Sequence, residues 1–336
     1  MENESYRIFG VELSPYSVKV RSYFRYKQIP HEWIIRGPAE METFQRYAKL
    51  PLIPLVVTPE DVGLQDSTPI LEEMEKRFPE PSISPPDPVS RFISALFEEF
   101  GDEWGNKWMF HFRWAREADQ WSAARRLGAV MAPEASGDAL EAVAGGIRER
   151  MINRVWFVGS SPDTAPIIES TFVRGLEILG PHLTDRPYLF GFRPALGDFG
   201  LWGQLYNAWT DPTCGELIRE HSPSVQAWIE RMLAPRIEGE FENWEALSPT
   251  LTPFLGELIG GHFLPWSDAN AKAIESNQDR FQVELAGRAY EQKPQKYHAR
   301  SLAQLRQSYA AFPEKDVLNP VLEASGCLDW LHSGAD

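Results

Sequence analysis

The sequence predicts an α+β protein: a small mixed-sheet unit at the N-terminus, then an all-helical unit that carries a helical extension. Residues 6–78 alternate short apolar runs of strand length with helical patterns. The stretch PEPSISPPDPVSR (79–91) places five prolines in thirteen positions, which no regular element tolerates, so it reads as a linker. Beyond it nearly every segment repeats apolar residues at helical spacing. These signals divide the chain into a mixed unit over 1–80, a linker over 81–91, a helical unit over 92–245 and an extension over 246–336.

Tyr6–Leu13 (YRIFGVEL) reads as the first strand. Pro15 then fits the first turn of a helix, where its missing N–H leaves nothing unpaired. Residues 16–28 continue that helix, with Val18, Val20, Tyr23, Phe24 and Tyr26 on overlapping faces. HEWIIR (31–36) is a second strand and PLIPLVV (51–57) a third, although Pro54 inside it removes a ladder donor. VGLQDST (62–68) supplies a turn, a strand end and a helix start, and PILEEMEKRF (69–78) the helix. After the linker, helices are expected over 92–117, 138–151, 164–183, 198–209, 224–233, 267–285 and 298–312.

Composition narrows the function classes. A net charge of −15 and a pI near 5.0 repel phosphate backbones, so no nucleic-acid partner is expected. The local cations Lys19, Arg21, Arg25 and Lys27 read as a solvated helix face. No apolar run approaches the roughly 18–20 residues that span a bilayer. The first residues show neither the basic nor the apolar region of an export signal, so no membrane contact and a cytoplasmic location are expected. Cys214 and Cys327 stand far apart without metal-ligand spacing, which predicts neither a disulfide framework nor a metal site. Hydrophobic residues make up 43% of the chain, with 12 Trp and 19 Phe, enough to fill a sizeable core.

The chemistry centres on SPYS (14–17), at a strand end where a helix begins. A thiol redox protein would read C-P-Y-C there. Serine at both positions excludes disulfide exchange, which needs a thiolate of the protein's own. A hydroxyl at a helix N-terminus can still donate a hydrogen bond to an external thiolate, and helix dipoles favour the charged form.

Three residue groups, in order and spacing around the Pro-rich linker, resemble the glutathione S-transferase superfamily, in particular its serine-type members. The first is Ser14-Pro15-Tyr16-Ser17 followed by Lys19-Val20-Arg21. The second is Ile53-Pro54, then Asp66-Ser67 with Pro69-Ile70-Leu71. The third is the run from Gly191 through Pro194, Ala195 and Asp198 to Phe199. The resemblance covers about 1–235, and the long tail is similar to that of large bacterial members. It implies a thioredoxin-like first domain followed by the all-α domain of the transferases. It further implies a cis Ile53–Pro54 bond whose neighbouring backbone pairs with glutathione, and an Asp66-Ser67 pair binding the γ-glutamyl end. Ser14 is the implied donor to the glutathione thiolate; it would equally serve as the N-cap of the first helix. Ser17 is expected to be a packing or supporting residue, and Phe9 stands near where tyrosine-type relatives keep a phenol. The third group corresponds to a capping box in which Ala195 replaces the expected hydroxyl, leaving Asp198 alone.

The resemblance also places the electrophile site between the domains, with Tyr16, Trp108, His111 and Trp114 as candidates. The aromatic residues of 104–114 read equally well as core, and His111 as a packing residue. One departure concerns glutathione itself. The cation that often precedes the cis-proline is absent from Pro51-Leu52-Ile53-Pro54, and the nearest base is Lys49.

The function implied is a homodimeric glutathione transferase. Glutathione would be its co-substrate, no metal would be required, and the thiol would be activated for attack on a small hydrophobic electrophile. The alternative is a non-enzymatic transferase-fold protein whose extension serves interaction or assembly. That extension carries apolar positions at helical spacing (Phe254, Leu255, Leu258, Ile259; Leu302, Leu305, Tyr309), alongside Trp266, Phe281 and Trp330. It is therefore predicted to pack on the helical unit.

Overall fold

The computed structural model describes residues 5–332, so the outermost residues of the first unit and of the extension lie outside it. Strand β1 (Tyr6–Gly10) leads into helix α1 (Pro15–Tyr26), which returns to β2 (His31–Ile35), parallel to β1. A short helix α2 (Met41–Tyr47) precedes the antiparallel pair β3 (Leu55–Val57) and β4 (Gly63–Gln65), and α3 (Ser67–Arg77) closes the unit. The sheet order is β2-β1-β3-β4, with β1 antiparallel to β3. Alternation along β1 sends Ile8 into the main core with Val18, Val20 and Tyr23. It sends Phe9 to the other face, against Phe44 of α2, Leu55 and Val57. Both central strands are shorter than the sequence reading. β1 stops at Gly10 because the Ser14 N–H turns back to the Val11 carbonyl, and β3 starts only after Pro54.

The linker ends four residues earlier than expected. Asp87 caps α4 (Pro88–Phe100) by accepting the Ser90 N–H at 2.8 Å, and Pro88 takes the first helical position, so 88–91 are helical. A π-helical turn, Gly101–Gly105, joins α4 to α5 (Asn106–Ala115), and the chain breaks at Arg116 before α6 (Glu117–Met131). α7 (Gly137–Ile152), α8 (Ala165–Thr184), α9 (Leu196–Trp209), α10 (Pro212–His221) and α11 (Pro223–Arg231) complete the helical unit; α6 and α10 are additions to the sequence reading. α9 is its axis, buried along almost its whole length. A β-carbon at Gly203 would stand 2.6 Å from the Pro15 carbonyl oxygen, so glycine permits α9 to touch the start of α1.

The extension comprises α12 (Trp244–Pro253), a π-helical stretch Phe254–Phe263, α13 (Leu264–Glu275), a hairpin of β5 (Phe281–Leu285) and β6 (Arg288–Gln292), α14 (Lys296–Ala310), α15 (Lys315–Ala324) and α16 (Leu328–His332). The helix expected over 267–285 stops at Glu275. Asn277 turns left-handed (φ 50°), FQVEL then alternates buried and exposed residues, and Ala286-Gly287, both at positive φ, form the two-residue turn. Leu247, Leu251, Phe254, Leu302 and Leu318 join the same core as the helical unit, and Phe254 stacks on Phe97 at 4.6 Å. Among the described residues no helix is long and apolar enough to cross a membrane.

One expectation of the sequence fails here. Lys19, Arg21 and Lys27 do not face solvent. Lys19 is fully buried, donating to Glu98 (2.5 Å) and Asp102 (2.7 Å) across the domain boundary. Arg21 clasps Glu12, and Lys27 pairs with Glu75.

Candidate active site

Strand register collects the motif residues at one end of the sheet. Phe9 pairs with Leu55 and Leu55 with Gln65, so the loop after β1, the Ile53–Pro54 bond before β3 and Asp66 after β4 lie side by side. Neighbouring strands are about 4.8 Å apart. The Ile53–Pro54 bond is cis. Neither the N–H nor the carbonyl of Ile53 has a hydrogen-bond partner among the described residues. Gln65, which the sequence reading passed over, fixes this edge. Its side-chain oxygen accepts the N–H groups of Lys49 (2.7 Å) and Leu50 (3.0 Å), and its amide donates to the carbonyls of Leu50 (2.9 Å) and Leu52 (2.8 Å).

Ser14 is the N-cap of α1, in extended geometry (φ −105°, ψ 111°). Its Oγ accepts the Ser17 N–H at 3.3 Å and the Ser17 hydroxyl at 2.9 Å. No acceptor for Ser14's own proton is found among the described residues. A hydroxyl that accepts two bonds is polarised to donate its own more strongly, and this one sits at the positive end of a helix. Ser17 is thus the supporting residue that the sequence suggested. Gly10 makes room for it, since a β-carbon there would lie 2.7 Å from the Ser17 β-carbon.

The helical unit holds the Ser14 loop from behind. Arg113 of α5, buried, pairs with buried Asp211 at 2.7 Å and donates to the Asn207 carbonyl at 2.8 Å. Its remaining nitrogen donates to the Leu13 carbonyl at 3.0 Å, one residue before Ser14. Glu12 accepts from Arg21 and from the Tyr206 hydroxyl; these bonds outweigh its partial burial and hold its carboxyl below the usual range.

At the other lip Asp66 precedes α3 with a positive φ of 76° and makes no capping bond of its own, so its carboxylate is turned outward and exposed. Such a conformation in a non-glycine residue costs about 1–3 kcal/mol and is characteristic of functional sites. Ser67 is buried behind it, its hydroxyl without a partner among the described residues. The Asp66 carboxylate meets the Tyr297 hydroxyl, from the extension, at 3.1 and 3.2 Å.

A model of the glutathione S-transferase N-terminal domain matches residues 8–82, and one of the C-terminal domain matches 119–231, together over half of the chain. This chain belongs to the glutathione S-transferase superfamily. No curated protein matches it. Among solved structures it is similar to a glutathione S-transferase from Methylobacterium radiotolerans in complex with glutathione sulfonate, at 20% identity over 68% of this chain and 91% of that one, TM-score 0.42. The beta-etherase LigF from a Sphingobium strain is 19% identical over 68% and 95% of the two chains, TM-score 0.47. FzlA from C. crescentus is 16% identical over 68% and 90%, TM-score 0.43.

The transferase motifs expected to carry the fold are in place, and Asp198 explains how the buried helix starts without a capping hydroxyl. Its carboxylate accepts the Ala195 N–H (2.9 Å), the Leu189 N–H (2.8 Å) and the Trp228 indole N–H (2.9 Å), while burial pushes its pKa up to about 7. The residues expected at the electrophile site divide. Tyr16 donates to the Asp102 carbonyl at 2.9 Å, and burial and the Asp102 charge keep it a phenol. Trp114 is buried in a cluster against which Leu13 and half-buried Phe110 pack, next to the Ser14 loop. Trp108 is elsewhere: its indole donates to Thr171 at 2.9 Å and its ring lies edge-on to Phe100 and Phe172, inside the core. His111 is also turned away, one nitrogen on Ser160 at 2.7 Å and the other on Glu169 at 2.9 Å. Burial lowers its pKa against the pull of Glu169. Half-buried Phe110 lies beside Trp114 in that cluster.

Proposed function

We propose that this superfamily member is a glutathione transferase of the serine type, in which Ser14 donates to the glutathione thiolate. The observation that carries the reading is the Ser14 hydroxyl itself. It stands at a helix N-terminus, its oxygen is loaded by two donations from Ser17, and its proton has no partner among the described residues. Around it, the unpaired backbone of Ile53 suits the cysteinyl main chain of glutathione, while Asp66, the Ser67 hydroxyl and the first N–H groups of α3 suit the ammonium and carboxylate of a γ-glutamyl end.

In this reading the thiol loses its proton to solvent on binding, and Ser14 donates to the sulfur. A free thiol has a pKa of about 8.5, and lowering it by about two units corresponds to ~2.7 kcal/mol in favour of the thiolate. The sulfur lone pair then attacks an electrophilic carbon. The new C–S bond forms as a leaving group such as halide departs with its electron pair, or as an activated double bond takes up the pair and then a proton. Leu13 and Phe110, partly buried against Trp114, would line the apolar side from which a small hydrophobic electrophile approaches. The protein's own residues hold and orient, since Tyr16 is committed to the Asp102 carbonyl and His111 is turned away onto Ser160 and Glu169.

The test is conjugation of glutathione to an aryl halide. Ser14→Ala removes a hydrogen bond to a charged partner, worth about 1.5–3 kcal/mol, so turnover falls about tenfold or more with the fold retained. Full turnover in that variant would leave Ser14 as a cap alone.

A further inference from the structure

α14 reaches back from the extension to the first domain, and its first turn is built into place. Ahead of the turn, the Gln295 backbone is clamped on both sides by buried Asn270. The Asn270 amide donates to the Gln295 carbonyl at 3.0 Å, and its side-chain oxygen accepts the Gln295 N–H at 2.7 Å. Behind the turn, buried His298 pairs with Glu103 and lies against Trp266, ring centroids 4.9 Å apart. Ser301 donates to Glu99 one turn further on. Between these anchors Tyr297 leaves about half of its side chain exposed (51%) and directs its hydroxyl at the Asp66 carboxylate.

That hydroxyl is nearly equidistant from the two carboxylate oxygens, at 3.1 and 3.2 Å, the position a single cationic donor would choose. The phenol keeps its proton, because burial and the Asp66 and Asp102 charges all oppose its loss, so it is a donor there and nothing else.

We infer that Tyr297 gates the amino subsite of the ligand: its hydroxyl and the ligand's ammonium compete for Asp66, so the extension sets how tightly an amine-bearing thiol is held. The inference rests on the glutathione reading above. The backbone need not move for the exchange, since only the exposed ring has to turn. Its hydroxyl can then bond to water while the ammonium takes the carboxylate. The gate also bears on selectivity. An ammonium recovers the lost bond with a charge-assisted one, whereas a ligand without an amine at that end gains nothing from displacing the phenol.

Calorimetric titration of the full chain with glutathione and with its des-amino analogue tests this, comparing the wild type with Tyr297→Phe. The substitution keeps the ring and removes the competing hydroxyl. Glutathione is then expected to bind about threefold to tenfold more tightly, the lower part of the range for a bond to a charged group at a half-exposed site. The des-amino analogue is expected to bind as before. Glutathione binding by the variant alone is the same result in its strongest form. Unchanged or weaker glutathione binding by Tyr297→Phe, with the wild type binding normally, overturns the gate and leaves the transferase reading standing. Binding by neither protein overturns both.

Discussion

Lys19→Met removes the cation that sits between two carboxylates at the domain boundary. The ammonium lies 2.5 Å from Glu98 and 2.7 Å from Asp102, with almost no solvent access to any of the three, and also donates to Thr68 at 3.3 Å. Methionine fills the space but leaves two buried acids facing each other. Breaking a buried pair from one side costs about 3–5 kcal/mol, and we expect a loss of that size near pH 8. The loss depends on pH. Burial already pushes Asp102 up to about 7, with Lys19 pulling it down and Glu98 pushing it up. Its folded pKa is raised above the unfolded value, so its share of stability is present at low pH and is lost as pH rises through about 7. Without Lys19 that pKa rises further, and the deficit relative to wild type grows from about pH 6 to about pH 8.5. Urea unfolding followed by tryptophan fluorescence at the two pH values measures it. Adding Glu98→Gln and Asp102→Asn to the variant is expected to recover most of the loss, because a neutral network no longer needs the cation. A deficit under about 1 kcal/mol at the higher pH, or one that shrinks as pH rises, refutes the reasoning.

Other perturbations reach different parts of the account. Asp198→Ala strands two backbone N–H groups and the Trp228 indole in the core. It is expected to destabilise by about 3–5 kcal/mol in urea, and a loss under about 1 kcal/mol would contradict the capping argument. Ser17→Ala leaves Ser14 its cap on the residue 17 N–H but removes the second donation. Conjugation is expected to fall roughly twofold to fivefold, and unchanged turnover would reduce Ser17 to packing. Glu99, pushed up to about 8 by burial and the Glu98 charge, keeps its proton in the folded state and loses that stabilisation as pH rises. Glu99→Gln should therefore gain on the wild type between about pH 6 and pH 9, and parallel stability curves would count against it. Phe110→Ala is expected to raise the KM for an apolar electrophile about fivefold or more without changing glutathione affinity, whereas Trp108→Phe lowers stability only. The reverse pattern would return the wall to Trp108.

The mixed unit and most of the helices were legible because their signals are local. Pro15 marks a helix start, and the period-2 and period-3.6 patterns mark the rest. What escaped depends on partners far away in sequence. Lys19 looked like a solvated cation because nothing near it in sequence names Glu98 or Asp102. Gln65 carries no motif, yet its four bonds hold the loop beside Pro54. α2 was missed because a single buried residue, Phe44, anchors it. FQVEL was read as helix because it continues a run of good helix formers, and only the left-handed Asn277 breaks it. Trp108, His111 and Trp114 came from the resemblance and from helical spacing, neither of which says which side of α5 meets the Ser14 loop. Phe110, Arg113 and Trp114 lie on the side of α5 next to the Ser14 loop, while Trp108 turns into the core. Of the candidate site, Ser14, Ile53–Pro54, Asp66 and Ser67 were named from the resemblance, and the structure brings them to one end of the sheet. Tyr297 was not named, because it comes from a segment that the motifs do not cover.

The central claim, that Ser14 stabilises a thiolate brought by glutathione, is tested most directly by titrating the thiol of bound glutathione through its ultraviolet thiolate absorbance, in the wild type and in Ser14→Ala. The account predicts a thiol pKa in the wild-type complex about two units below the free value, and a rise of about one to two units toward it in the variant, matching a hydrogen bond to a charged partner. The same thiol pKa in both complexes would contradict it.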